Sequence, residues 1–354
     1  LKTLDRRRFL GLGAASVAAT VVAACSRSLG LTSPSVISPA PELGDAPSAT
    51  LSASGVPATA VPGGPSTADT AISLVAAPDT VGLLPGTLTR VSTLRGAVLE
   101  GEEGVLQQLP GTYLGPTVRL NSGQRLRVEF SSEIQQETIV HWHGLHVPAE
   151  MDGHPRYAIN RGESFTYEFD ILNRAGTYWY HPHPHGITGP QVYAGMAGIF
   201  LVSDDEERAL GLPDGEFDVP LVIQDRTFDA QNQLLYLSNG MMDQMQGFLG
   251  DRILVNGQPD FTLQVSARPY RLRLLNGSNS RIYKLGWSDG SAFTVIGTDG
   301  GLLEKPLGRP YITLAPAERV ELWVDFSERP LGSQIVLQNE PYDAPAGMGG
   351  GMMG

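Results

Sequence analysis

Short runs in which apolar and polar residues alternate recur along much of this chain. Over 125–130, Leu126, Val128 and Phe130 alternate with Arg125, Arg127 and Glu129, and over 164–169 Phe165, Tyr167 and Phe169 alternate with polar neighbours. A period of two puts one set of side chains on a single face of a half-buried strand. The first run reads as the second arm of a hairpin over 117–130, with Val118 and Leu120 on the first arm and a turn at Asn121, Ser122 and Gly123. Strands are also expected at 138–140 and 177–180, each leading into a histidine-rich block, and at 198–202. After a charged, turn-rich stretch at 203–218, further strands are expected at 219–224, 252–255, 271–275, 293–296 and 319–324. The tripeptide Arg-Leu-Arg occurs at 125–127 and again at 271–273, a faint sign of duplication. Many short strands with Gly and Pro turns indicate an all-β chain of Greek-key sandwich or barrel type.

The flanks lack this alternation. Arg6, Arg7 and Arg8 precede Phe9 and Leu10, and a small-residue apolar run then ends at Cys25. That order of charge, apolar run and small residues reads residues 1–24 as a signal peptide of the twin-arginine kind, too short for a membrane span of about 20 residues. Cys25 reads either as a lipidated N-terminus, which anchors the protein to a membrane, or as a bystander to cleavage by a general signal peptidase. Both place the protein outside the cytoplasm, periplasmic or extracellular. Residues 25–71 are rich in Ser, Pro, Ala and Thr and are expected to form a flexible linker, because they cannot bury enough surface to offset their ordering entropy. Domains are expected at 72–205 and 206–345, followed by a Met/Gly tail at 346–354. For Met241, Met242 and Met245 the expectation is ordinary packing, ahead of a cluster of soft thioether ligands that suit Cu(I).

Composition changes this picture in three places. The 354 residues, 41% of them hydrophobic, suffice for two domains plus tails. A net charge of -12 supplies no basic footprint, so no nucleic-acid partner is expected. Cys25 is the single cysteine, which excludes an intrachain disulfide and a cysteine-rich metal site.

Candidate chemistry is concentrated in one stretch. All seven histidines fall between His141 and His185, in the blocks HWHGLH (His141, His143, His146) and HPHPHG (His181, His183, His185), with His154 between them. On a strand, residues i and i+2 share a face, so each His-x-His pair can chelate one ion or serve two neighbouring ions. Imidazoles without carboxylate or thiolate company suit copper or zinc better than magnesium or calcium. Neutral imidazole is the ligand form, so metal release is expected as the pH falls below about 6. His146 and His154 read as surface or loop residues, and Trp142 and Trp179 as packing beside the strands.

HWHGLHVPAEMDGHP at 141–155 and YWYHPHPHGITGPQVYAGMAGIFLV at 178–202 resemble the two copper-binding blocks of the first cupredoxin domain of bacterial multicopper oxidases, the laccase and cuprous-oxidase group. LRLLNGSNSR at 272–281 and VIGTDGGLL at 295–303 are similar to that family's middle domain. The resemblance implies two tandem cupredoxin-like Greek-key β-sandwich domains behind the signal peptide and linker. It implies His141 as a type 2 copper ligand and His143, His181 and His183 as type 3 ligands. His185 would stand behind the ligands, and Asp152 would relay protons during oxygen reduction. The activity implied is oxidation of phenols or Cu(I) coupled to reduction of dioxygen to water. The family's His-Cys-His block, which supplies type 1 ligands, is not found in this sequence. The chain therefore reads as carrying half of a trinuclear site, with the C-terminal cupredoxin domain missing and the Met/Gly tail as the start of a Met-rich segment. The alternative is a non-catalytic copper-binding or cell-envelope protein on the same scaffold.

Overall fold

The computed structural model of the chain describes residues 68–341, which fall in one compact unit. The signal peptide, Cys25, nearly all of the linker and the tail at 346–354 lie outside the described residues. The first group of strands is β1 (Thr70–Val81), β2 (Thr89–Glu100), β3 (Leu106–Gln107), β4 (Thr117–Asn121), β5 (Arg125–Ser132), β6 (Val140–His143), β7 (Ser164–Asp170), β8 (Gly176–Pro182) and β9 (Gly198–Ser203). They form a four-stranded sheet, β2-β1-β5-β7, and a five-stranded sheet, β3-β4-β9-β8-β6. Ile72, Leu74, Val128 and Phe130 of the first sheet meet Leu120, Trp142, Tyr180 and Phe200 of the second in one buried core. The alternation of Leu126, Val128 and Phe130 is the inward face of β5, and all three are fully buried.

The expected hairpin at 117–130 is not one. Its two arms belong to different sheets: β4 pairs with β3 and β9, whereas β5 pairs with β1 and β7. The turn at 121–124 carries the chain across the core. Its backbone is held by Ser203 on one side, through the amide of Ser122, and by Ile171 on the other, through the amide of Gly123. Alternation gives a strand's face but not its partner, and burying both apolar faces against each other wins over local pairing.

A second group follows: β10 (Asp218–Phe228), β11 (Leu234–Leu235), β12 (Arg252–Val255), β13 (Gln258–Pro259), β14 (Pro269–Asn276), β15 (Tyr283–Trp287), β16 (Phe293–Thr298), β17 (Gly301–Arg309), β18 (Ile312–Leu314), β19 (Arg319–Asp325) and β20 (Leu337–Asn339). An eight-stranded sheet runs β13-β12-β10-β14-β19-β16-β17, with β11 on β10, and packs over a three-stranded sheet, β18-β15-β20. The Arg-Leu-Arg strands occupy equivalent places. Both β5 and β14 lie between a parallel first strand and an antiparallel later one. This arrangement of packed sheets is the all-β architecture expected.

The two groups share a third core, in which Trp179, Ile199 and Leu201 of the five-stranded sheet meet Val222, Leu254 and Leu275. The five-stranded sheet is thus covered on both faces, and every residue of β8 is buried. Beside this core lies a buried ion network. Arg273 reaches Asp218 at 2.6 Å and Glu321 at 3.0 Å, and Arg271 pairs with Glu321 and Glu207. Glu207 comes from the charged stretch at 203–218, which forms a short helix, α1 (Asp205–Ala209), capped by the Asp204 carboxylate on the Glu207 amide at 2.8 Å. The Thr177 hydroxyl donates to Glu321 at 2.7 Å and so ties β8 to the same network.

Candidate metal centre

Register decides where the histidines meet. In the β6–β8 pair His141 stands opposite His181, Trp142 opposite Tyr180 and His143 opposite Trp179. Opposite residues share a face, as do residues two apart. His141, His143, Trp179 and His181 therefore project to the outer side of the sheet, while Trp142 and Tyr180 project into the core. A shift of one residue would turn the imidazoles into the first core and Trp142 out of it. The register is held from within: Trp142 is fully buried among Tyr167, Phe169, Tyr180 and Phe200. The Tyr167 hydroxyl donates to the Val140 carbonyl and accepts from the Val140 amide, each at 2.9 Å. These two bonds anchor β6, an edge strand.

Ligand-capable nitrogens of His141, His143 and His181 all lie within 4.8 Å of one another. Their hydrogen bonds sort the ring atoms. His141 Nδ1 donates to the Asp152 carbonyl at 2.8 Å, and His181 Nδ1 donates to the Pro182 carbonyl at 2.9 Å, so each presents Nε2. His143 turns Nδ1 toward His181 Nε2 at 3.3 Å. His183 stands beside this triad, its ring 5.4 Å from that of His141 and 6.2 Å from that of His181, and its buried Nδ1 has no hydrogen-bond partner among the described residues. Three of the expected ligands are brought together, and the fourth flanks them.

Burial pushes His143 down to about 4, helped by the charge of Arg319 and then by His141 and His183. Burial also pushes His181 down to about 3, against the Pro182 hydrogen bond, with the three other imidazoles adding to the fall. Both therefore remain lone-pair donors well below the pH of about 6 expected from the reference value. Desolvation, which the sequence did not reveal, is the reason.

The other candidates separate clearly. Asp152 lies against the site, its Oδ1 3.1 Å from His141 Nδ1, with its side chain half exposed. Gly153 after it has φ +73, and a Cβ there would lie 2.1 Å from the Val140 carbonyl oxygen, so only glycine lets the loop lie this close to β6. His185 is exposed, and among the described contacts it makes none with the triad. His146 and His154 are exposed, the latter capping a short turn by accepting from the Arg156 amide at 3.1 Å. Trp179 does more than pack: its ring lies 4.2 Å from that of His181 and 5.0 Å from that of His143, walling the imidazoles on the side of the second strand group. A second helix, α2 (Thr188–Ala194), follows the HPHPHG block, and its Gln191 joins the approach to β6 through Thr138 and Glu137. The contribution of Gly153 was signalled only by a turn-forming Asp-Gly pair, and that of Trp179 by its place one strand period before His181.

On the third helix, α3 (Met241–Gln246), Met241, Met242 and Met245 are 73%, 55% and 77% exposed, so they do not pack as expected. The helix is too short to bury three long side chains, and its single buried residue is Asp243.

The chain is similar to several known proteins. The family model described as multicopper oxidase matches residues 92–207. A multicopper oxidase from Staphylococcus aureus is 38% identical over 218 residues, which cover 62% of this chain and 48% of that protein. A cell division protein, FtsP, of Edwardsiella tarda is 40% identical over 222 residues, covering 62% of this chain and 46% of that protein. The solved structure of the McoA multicopper oxidase from the hyperthermophile Aquifex aeolicus is similar at 38% identity and TM-score 0.68, over 78% of this chain and 58% of that one. The chain spans about half the length of the curated relatives it matches.

Proposed function

For a chain whose residues 92–207 belong to the multicopper oxidase family, we propose a copper-binding oxidoreductase in which His141, His143, His181 and His183 are the metal ligands. The observation that carries this reading is the convergence of three imidazole nitrogens within 4.8 Å, with no thiolate or carboxylate among them. That donor set suits copper, with zinc as the competing ion. His141 is assigned to a type 2 position and His143, His181 and His183 to type 3 positions. Bound copper would supply one-electron steps between a reducing substrate, a phenol or Cu(I), and dioxygen.

The protein's own residues do the rest. The Asp152 and Pro182 carbonyls fix the tautomers of His141 and His181, and Trp179 keeps water from one side of the rings. Asp152 is assigned as a proton relay: it touches His141 and, being half exposed, can exchange protons with solvent. His185 is assigned no ligand role. The division into domains at 72–205 and 206–345, twin-arginine export and lipidation at Cys25 are carried forward as parts of the same proposal. We place the complementary ligands, including a type 1 site, on a C-terminal cupredoxin domain outside this sequence, so this chain alone should bind copper without turnover.

Copper titration followed by electron paramagnetic resonance and visible absorption tests the assignment. The expected result is Cu(II) bound without an intense blue thiolate band, lost in His141→Ala and His181→Ala and kept in His146→Ala. Full copper uptake by His181→Ala would overturn it. The FtsP relative supports a second reading, a non-catalytic copper-binding or cell-envelope protein. Copper binding with no oxygen consumption by the longest natural form of the protein would favour it.

A further inference from the structure

Arg319 opens β19 in the second strand group, yet its guanidinium reaches the histidine blocks. The side chain is 5% exposed. Its Nε donates to the Thr177 carbonyl at 2.9 Å, on the strand that carries His181, and its Nη2 donates to the Asp299 carbonyl at 3.1 Å. The same Nη2 lies 3.0 Å from where a Cβ on Gly144 would stand, and Gly144, at φ +87, directly follows His143. A Cβ at 144 would make the guanidinium give by a few tenths of an ångström. Its counter-ion, Asp299, is paired at 2.8 Å but 48% exposed, so water screens the carboxylate more than the buried guanidinium. The neighbouring Arg271 and Arg273, by contrast, are matched by carboxylates as buried as themselves.

We propose that Arg319 is a positioning residue that sets the oxidation-state preference of the copper site, an inference that rests on the copper reading above. A fixed, poorly screened positive charge one residue from a ligand pair disfavours Cu(II) more than Cu(I), because the higher charge is repelled more strongly. The second strand group, which holds no histidine, thus acts on the site through its field and through the hydrogen bond to Thr177.

The test is the ratio of Cu(I) to Cu(II) dissociation constants, measured on the full chain by competition with chromophoric chelators, with circular dichroism as the check of folding. Arg319→Met should shift the ratio about tenfold toward Cu(II), and Arg319→Lys should restore most of the shift. Asp299→Asn should move it the opposite way, toward Cu(I), and serves as the deciding variant if Arg319→Met does not fold. A ratio unchanged in a folded Arg319→Met, or an Asp299→Asn ratio that stays put or moves toward Cu(II), overturns the role of Arg319 while leaving the copper reading intact. An unaltered chain that takes up neither ion overturns the copper reading and this inference with it.

Discussion

His141 and Asp152 are joined through the backbone: the Asp152 carbonyl oxygen lies 2.8 Å from Nδ1 of His141, closer than the carboxylate Oδ1 at 3.1 Å. The tautomer of the ring therefore does not depend on the acid. Asp152→Asn should bind copper within about twofold of the unaltered chain, since the carbonyl bond survives. Isothermal titration with Cu(II) checks this, and a loss as large as that of His141→Ala would show that the carboxylate itself holds the ring.

Gly153 is the complementary case. A methyl group there would meet the Val140 carbonyl and the His141 Cα, at 2.1 and 2.8 Å, in a left-handed conformation. Gly153→Ala should lower copper affinity about 10- to 100-fold by moving the Asp152 carbonyl off His141. It should also lower the melting temperature, because Cβ strain is added at φ +73. Equal copper affinity in the two proteins would show that the loop does not orient the ligand.

Tyr167 holds the strand that carries His141 and His143. Tyr167→Phe leaves the amide and carbonyl of buried Val140 without these partners, at a cost of about 1–3 kcal/mol each. Urea unfolding should show a loss of about 2–6 kcal/mol, the sum for the two groups. Copper affinity should fall as well, since β6 is an edge strand with no second strand partner among the described residues.

Acid should act through the buried ion network. Burial by itself would raise the carboxyls of Asp218 and Glu321, but the charges of Arg273 and Arg271 hold both below the ordinary range, helped by a hydrogen bond from Arg273 to Asp218 and by those from Thr177 and Arg271 to Glu321. Their stabilisation is then fully present above the unfolded-state values near about 4 and is lost as the pH falls through the lower folded values. Glu321→Gln should cost about 3–5 kcal/mol at neutral pH, because two buried arginines lose their shared partner. Unfolding at about pH 7 and about pH 3 should show the gap between variant and parent narrowing in acid. A constant gap would argue against this linkage.

The methionines of α3 should be nearly silent in stability. Met241→Gln, Met242→Gln and Met245→Gln each replace a largely exposed side chain, so each should change stability by less than about 0.5 kcal/mol. A loss of about 2 kcal/mol or more in thermal unfolding would mean that these side chains are covered in solution.

Much of this protein was legible in its sequence because strand chemistry is local. The alternation at 125–130 and 164–169 named two strands and their buried faces, and the spacing of His141 with His143 and of His181 with His183 put each pair on one face. Two HxH pairs free of cysteine and carboxylate also limited the metal to a narrow class. The sequence could not say which strands pair, because alternation carries no information about a partner distant in the chain. Only the tertiary structure separated β4 from β5, set His141 opposite His181, and turned the imidazoles to the same side as Trp179. It alone desolvated His143 and His181, exposed Met241, and brought Arg319 across from another strand group to the turn after His143. These features depend on contacts between residues far apart in sequence, which the packing of whole sheets decides.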